Sequence, residues 1–275
     1  MEENRRSLSR PAAQAEAALQ EALNRALRQR QFFICLQPKF SLPERGIAGA
    51  EALLRWNDPE NGIRFPGEFL EAAERNGYLE TLDLYALEEA CRCIRDWLDT
   101  GRAAVPVSVN LSKASLYAAG FPDAAWDCIR RYGLPPSSIE FEFSAAQVEQ
   151  HPVALSRAIN QLHALHCGCV IDGFAQGTQM LEHVLAFEVD AVKFNCRAFP
   201  RENRQAGIAA CLEVIAAARR LNIALICEGV EAQEQLQALA AAGCRLVQGF
   251  ALSMPVTTQM FTKMMDAGAT GANER

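Results

Sequence analysis

Seven apolar segments of this sequence each carry a polar or charged residue at or near their ends. They bring Glu51 with Arg55 in GIAGAEALLRW (46–56), Asn110 in AVPVSVN (104–110), Glu142 in SIEFEFS (138–144), Asp172 in GCVIDG (168–173), Lys193 in VDAVKF (189–194), Glu228 after IALIC (223–227) and Gln248 in CRLVQG (244–249). Brought together, Glu51, Asn110, Glu142 and Asp172 would make a hard, all-oxygen donor set of the kind that holds Mg²⁺ or Mn²⁺, and the ligands alone do not choose between the two. Without a cation such a group would repel itself strongly. Taken singly, each residue has a plainer reading. A strand-end acid is commonly a solvated carboxylate or a helix cap, Asn110 before LSKAS suits an N-cap, Lys193 an ion-pair partner and Gln248 before Gly249 a turn. Recurrence at the same end of successive segments is what favours a site.

The other residue types with chemical potential point elsewhere. Ten cysteines fall mostly inside apolar segments and form no CxxC pair, which fits reduced, buried thiols in a cytoplasmic protein. Cys91/Cys93 and Cys167/Cys169 have the wrong spacing for zinc pairs, and His151, His163, His166 and His183 make no ligand motif. A net charge of −6 argues against broad electrostatic binding of nucleic acid, so no DNA partner is expected. An anionic ligand would have to be held locally, by metal ions or a few Lys and Arg. No run of about 18 apolar residues is present, so neither a membrane span nor a secretion signal is expected.

Positioning those residues takes a particular arrangement of elements. Strand-like segments at 32–40, 46–56, 104–110, 138–144, 168–173, 189–194, 223–227 and 244–249 alternate with helical ones at 68–76, 80–98, 123–132, 151–165, 177–186, 204–220, 231–242 and 256–266. Eight β segments in βα rhythm predict a TIM-like (β/α)8 barrel, with a doubly wound open sheet as the alternative. SLPERG (41–46) is too short for a crossover, so the first strand is expected antiparallel to the second. Alternation puts Glu140 and Glu142 on the barrel axis and Phe141 and Phe143 against the helices. Residues 1–30 read as an N-terminal helix, either a cap below the barrel or the end of a linker from an upstream module. Residues 31–267 read as the barrel domain and 268–275 as a disordered tail.

AEALLRW (50–56) resembles the signature of the EAL family of cyclic di-GMP phosphodiesterases. The resemblance runs from about Ala22 to Phe261 through Gln37 and Pro38 of FICLQPKF, FPGEFLEAAERNGYL (65–79), VSVNLS (107–112), VDAVKF, CEGVEA (227–232) and VQGFALSMP (247–255). It implies a cyclic dinucleotide extended over the C-terminal rim of the barrel, one phosphodiester resting on divalent metal. Glu51, Asn110, Glu142 and Asp172 match the first metal's ligands. Lys193 matches the lysine near the attacking water, Glu228 a further acid of the metal centre, Glu231 a second acid of the same motif, and Gln37, Arg55 and Gln248 the nucleotide contacts. A homodimer through the segments after the fifth and sixth strands, and an upstream sensor or GGDEF module, are further implications.

Several positions depart from the family pattern. DDFGTG is replaced by Asp172-Gly173-Phe174-Ala175-Gln176-Gly177, so the ligand of the second metal is Gly173. Ala145 replaces a glutamate that steadies the loop after the fifth strand, Asn195 replaces an aspartate, and Asp58 replaces a histidine, a change expected at the surface with little consequence. These losses predict a degenerate member that binds cyclic di-GMP as a receptor, with an intact first metal site and an impaired second. An active phosphodiesterase yielding pGpG and a protein-interaction module without nucleotide are the alternatives. A glycosidase would need rim acids with an aromatic platform, which Trp56, Trp97 and Trp126 do not supply.

Overall fold

The computed structural model describes residues 10–174, 186–198 and 204–272. Strand β1 (Phe32–Ser41) turns directly into β2 (Gly46–Asp58), and the two pair antiparallel from Phe32 opposite Trp56 to Ser41 opposite Gly46. From β2 the sheet continues in parallel through β4 (Val107–Asn110), β5 (Ile139–Ser144), β6 (Gly168–Phe174), β7 (Ala191–Asn195), β8 (Leu225–Glu228) and β9 (Leu246–Val247). Phe40 and Ser41 of β1 then meet Val247 and Leu246, which closes the barrel. The (β/α)8 expectation with one reversed strand is met. The open sheet is excluded by that closure.

Two short strands were not anticipated. β3 (Gly62–Arg64) folds back on the end of β2, and β10 (Val256–Thr257) pairs with Cys35 and Leu36 in the middle of β1. Asp58, which the sequence placed at the surface, is buried in the β2–β3 turn. It accepts the Glu60 N–H at 3.0 Å and the Asn61 amide at 2.8 Å, the Asx chemistry that closes a turn. β4 begins only at Val107, because Pro106 has no N–H to give and its carbonyl instead takes the Ala50 N–H.

The described helices are α1 (Arg10–Arg28), α2 (Leu70–Arg75), α3 (Leu79–Asp99), α4 (Lys113–Tyr117), α5 (Phe121–Arg131), α6 (Ala145–Gln150), α7 (Pro152–Ala164), α8 (Arg204–Arg220), α9 (Gln233–Ala241) and α10 (Thr258–Ala272). Short α4 and α6, at the ends of β4 and β5, lack the length to show helical periodicity. The helix expected at 177–186 falls largely outside the described residues. The tail expected from Gly268 begins inside α10, which runs to Ala272. Helix α1 does not cap the barrel from below. Leu23 and Ala26 pack on Phe32, Trp56 and Phe69, because reversal of β1 sets its first residue opposite Trp56, near the end of β2. Among the described residues no helix is long and apolar enough to cross a membrane.

Two further apolar regions hold the assembly. Outside the strands, Phe141, Phe143, Val109, Val192 and Cys227 face the helices, and the ring closes where Trp97 of α3 stacks on Phe261 of α10 at 5.4 Å. Inside the barrel Val170, Ala191 and Ile226, with Leu246, fill one half near the N-terminal ends of their strands. The other half is polar.

One polar clamp fixes the loop after β4. Asp83 of α3 accepts the Ser112 N–H at 2.8 Å and the hydroxyls of Ser112 and Ser115 at 2.6 Å, tying α4 to α3. Burial pushes its carboxyl up to about 6, and these three bonds offset only part of that. A folded value above the unfolded one means stability is fully present below about pH 4 and is lost as pH rises toward 6. Asp83→Asn is therefore expected to gain about 2 kcal/mol on the wild type between pH 4 and pH 7, allowing for solvent screening. Urea unfolding at both pH values reads the difference, and a constant gap between the two proteins would refute it.

Candidate functional site

The strand ends converge on one ammonium group. Lys193 on β7 is almost fully buried, and its Nζ lies 2.7 Å from Glu51, 2.9 Å from Glu142, 3.5 Å from Glu228 and 3.6 Å from Asp172. Those acids come from β2, β5, β8 and β6, so each strand delivers one carboxylate to the same point. Asn110 at the end of β4 donates to Glu51 at 2.9 Å, and Gln248 just after β9 donates to the other Glu51 oxygen at 2.8 Å.

A second layer supports Glu142 from below. Its Oε1 accepts from the Ser108 hydroxyl and lies 3.2 Å from Lys39, which also binds Glu140 at 2.8 Å. Gly168 makes room for this pair, since a Cβ there would sit 3.0 Å from the Glu140 side chain. Lys39, Glu140 and Ser108 were not assigned a role from sequence. Lys39 is two residues from Gln37 on the same strand face, and that period-2 signal could have found it.

The charges do not balance. Glu51, Glu142, Asp172, Glu228 and Glu140 set five carboxylates against the ammoniums of Lys193 and Lys39, a net of −3 if all are ionised. Burial would raise Glu142, but Lys193 and Lys39 outweigh it and hold the carboxyl near 2. Burial pushes Glu228 up to about 7, Lys193 offsetting part of the effect while Asp172, Glu51 and Glu142 add to it. Asp172 is raised by burial in the same way. Lys193 stays charged because four acids together outweigh its desolvation.

Two buried atoms, Asp172 Oδ1 and Gln248 Oε1, have no hydrogen-bond partner among the described residues. Surplus negative charge, orphaned acceptors and an all-oxygen donor set fit a hard divalent cation held by Glu51, Asn110, Glu142 and Asp172. With its Nδ2 turned to Glu51, Asn110 keeps its carbonyl oxygen for such an ion.

Other expected residues flank this cluster. Gln37 stands opposite Glu51 in the β1–β2 register. Arg55 is buried, donates to the Leu54 carbonyl at 2.8 Å and lays its guanidinium over Phe65 at 4.9 Å. Glu231 does not join the acids around Lys193. It pairs with Arg197 at 2.8 Å, and Arg197 lies over the half-exposed ring of Phe250 at 4.7 Å. Gly249 lets these loops close, for a Cβ would fall 2.2 Å from the Val230 carbonyl oxygen. Phe65 and Phe250 lie in stretches that carry the resemblance but, like Arg197, were given no role, because nothing in their spacing ties them to the strands.

The departures have definite positions. Gly173 follows Asp172 at φ +79, with open space where a Cβ would be. Asn195 accepts the Arg197 N–H at 2.9 Å and stands opposite Glu228 in the β7–β8 register. Ala145 starts α6, whose Gln147 carbonyl oxygen accepts the Ser144 N–H while its amide donates to the Leu111 carbonyl. Ala175, Gln176 and Gly177 lie outside the described residues.

Comparison with known proteins gives the family and the fold. The sequence pattern of the EAL domain matches residues 20–255. The bifunctional diguanylate cyclase/cyclic di-GMP phosphodiesterase MucR of Pseudomonas aeruginosa is 33% identical over 90% of this chain, and the cyclic di-GMP phosphodiesterase NbdA of the same organism is 31% identical over 89%. This chain spans only 36% and 31% of those two proteins. The solved PaMucR phosphodiesterase in complex with c-di-GMP superposes with a TM-score of 0.79 at 32% identity, covering 89% of this chain and 99% of that one.

Removing the central ammonium tests the charge account. Lys193→Met is expected to lose about 3–5 kcal/mol of stability in EDTA, the scale for unpairing buried ions. Millimolar Mn²⁺ should restore much of it, because an ion that binds only the folded state stabilises it. Thermal unfolding of both proteins with and without Mn²⁺ reads the effect, and equal metal response would show that Lys193 does not share the cation's place.

Proposed function

The chain belongs to the EAL-domain family, and on that premise we propose that it binds cyclic di-GMP over the C-terminal rim of the barrel as a receptor, with hydrolysis weakened or lost. The observation that carries this reading is an asymmetry. Glu51, Glu142 and Asp172 gather around one point with Asn110 bonded to Glu51, which supports a first metal site, while the neighbouring Gly173 offers no side chain at all.

EAL phosphodiesterases depend on divalent metal. Here Mg²⁺ or Mn²⁺ on the first donor set would supply charge neutralisation for a phosphodiester oxygen and acidify a water. Lys193 would orient that water or the phosphodiester while remaining cationic. Arg55, stacked on Phe65, presents a planar guanidinium to the nucleotide, and Gln37 with the unpaired Oε1 of Gln248 offers polar contacts beside it. Glu231, tied to Arg197, would act on the loop after β8 rather than on the reacting atoms.

Loss of a second-site ligand weakens transition-state charge stabilisation, and each ~1.4 kcal/mol is tenfold in rate. One observation favours the alternative, a working phosphodiesterase that makes pGpG. Glu228 lies 3.5 Å from Lys193, near enough to share in a second metal's shell. As for partners, α1 would suit a junction with an upstream sensor or GGDEF module, and a homodimer through the segments after β6 and β7 belongs to the same proposal.

Calorimetric titration of cyclic di-GMP with Ca²⁺ and again in EDTA, followed by chromatography after a long Mg²⁺ or Mn²⁺ incubation, separates the readings. Metal-dependent binding without pGpG is the expected result. Product formation would establish the enzyme, and absence of binding would remove both nucleotide readings. Gly173→Asp tests the cause. The φ of +79 costs a non-glycine residue about 1 kcal/mol, which Asp tolerates better than most, and the space is open. Turnover is expected to rise at least tenfold; no rise would move the defect to Ala145 and the loop after β6.

A further inference from the structure

A second cluster of metal-ligating side chains lies at the opposite end of the barrel. His163 in the last turn of α7, Cys169 near the start of β6 and Asp190 just before β7 place their donor atoms within 4.8 Å of one another. His163 Nε2 is 3.0 Å from Asp190 Oδ2. No carboxylate-rich rim is involved, and none of the three belongs to the site around Lys193.

The trio is held in place by backbone. The Asp190 N–H donates to the Cys169 carbonyl at 2.9 Å, and the Cys169 N–H returns the bond to Asp190 Oδ2 at 2.7 Å. His166, at φ 62, turns the chain from α7 into β6, and its N–H donates to the His163 carbonyl. Among the described residues, the side-chain hydrogen bonds of Asp190 both use Oδ2, which leaves Oδ1 for a ligand. No hydrogen bond to the Cys169 thiol occurs among the described residues, and the thiol is fully buried while Asp190 is exposed and His163 half-buried. An ion can reach the group from the Asp190 side.

We propose that His163, Cys169 and Asp190 bind one zinc-type divalent ion, water completing the fourth position. Imidazole, thiolate and one carboxylate are the donors Zn²⁺ takes, and a tetrahedral ion would set them about 3.3–3.6 Å apart. Binding would bring donors now up to 4.8 Å apart to that spacing. Binding replaces the Cys169 thiol proton with the metal and releases that proton to solvent. Thiolate and carboxylate then carry −2 together, which neutralises the ion in a half-buried setting. Hard Mg²⁺ and Mn²⁺ would prefer the oxygen set at the other rim, so the two ends of the barrel select different ions. Zinc would also lock the starts of β6 and β7, the strands that carry Asp172 and Lys193 about 10 Å further on.

The test uses the full chain stripped with chelator and held in excess Mg²⁺. Zn²⁺ is titrated against a chromophoric chelator, and Co²⁺ serves as the spectroscopic probe. One equivalent of Zn²⁺ should bind despite the Mg²⁺, and Co²⁺ should give tetrahedral ligand-field bands with a sulfur-to-cobalt charge-transfer absorption. Cys169→Ala should abolish that absorption and weaken Zn²⁺ at least tenfold. His163→Gln, at a half-buried position that leaves the core intact, should also weaken Zn²⁺ at least tenfold while unfolding in EDTA at the wild-type temperature. Zinc fully displaced by Mg²⁺ would overturn the proposal, and so would a charge-transfer absorption that survives Cys169→Ala, which would put the ion on other thiols.

Discussion

A buried ammonium cannot stand alone, and the inside of this barrel is organised around that constraint. Desolvating Lys193 is costly unless opposite charges surround it. Glu51, Glu142, Asp172 and Glu228 do so from four strands, and their mutual repulsion then demands further order. Asn110 and Gln248 fix Glu51, while Ser108 and Lys39 fix Glu142. Lys39 in turn needs Glu140, whose side chain fits because residue 168 is glycine. Each residue is explained by the one before it.

The reversed first strand is part of the same arrangement. Running antiparallel to β2, it sets Gln37 opposite Glu51 and Lys39 opposite Gly49, so its side chains enter the polar half of the barrel at the right depth. The other half, Val170, Ala191, Ile226 and Leu246, is apolar and closes the bottom without polar groups to satisfy. Outside, helices bury the alternate residues of the same strands, and the stack of Trp97 on Phe261 joins the last helix to α3. Packing of the outer layer holds the carboxylates close together against their repulsion.

That repulsion is also what suits the rim to a cation. Five acids facing two lysines leave a surplus that a hard divalent ion would cancel, and the orphaned oxygens of Asp172 and Gln248 lie in the same place. Donor chemistry divides the molecule. Oxygen donors dominate the C-terminal rim, whereas the group formed by His163, Cys169 and Asp190 mixes nitrogen, sulfur and oxygen at the N-terminal end.

Much of this was legible in the chain. The βα rhythm with one short connection determined the barrel and its reversed strand, because period-2 and period-3.6 patterns are local. AEALLRW, VSVN, IEFEF, VIDG and VDAVKF singled out Glu51, Asn110, Glu142, Asp172 and Lys193; closure of the barrel brings them together, although Glu51 lies mid-strand because β2 runs on to Asp58. Tertiary structure alone decided the rest. Lys39 and Glu140 form a pair across 101 residues, Glu231 turns to Arg197 instead of to Lys193, and α1 packs beside Trp56. His163, Cys169 and Asp190 match no ligand spacing, yet a helix end and two strand starts put them side by side. Sequence encodes which face of its own element a side chain takes, since that depends on near neighbours. Which faces meet depends on how the elements close around a shared core, and no local pattern records it.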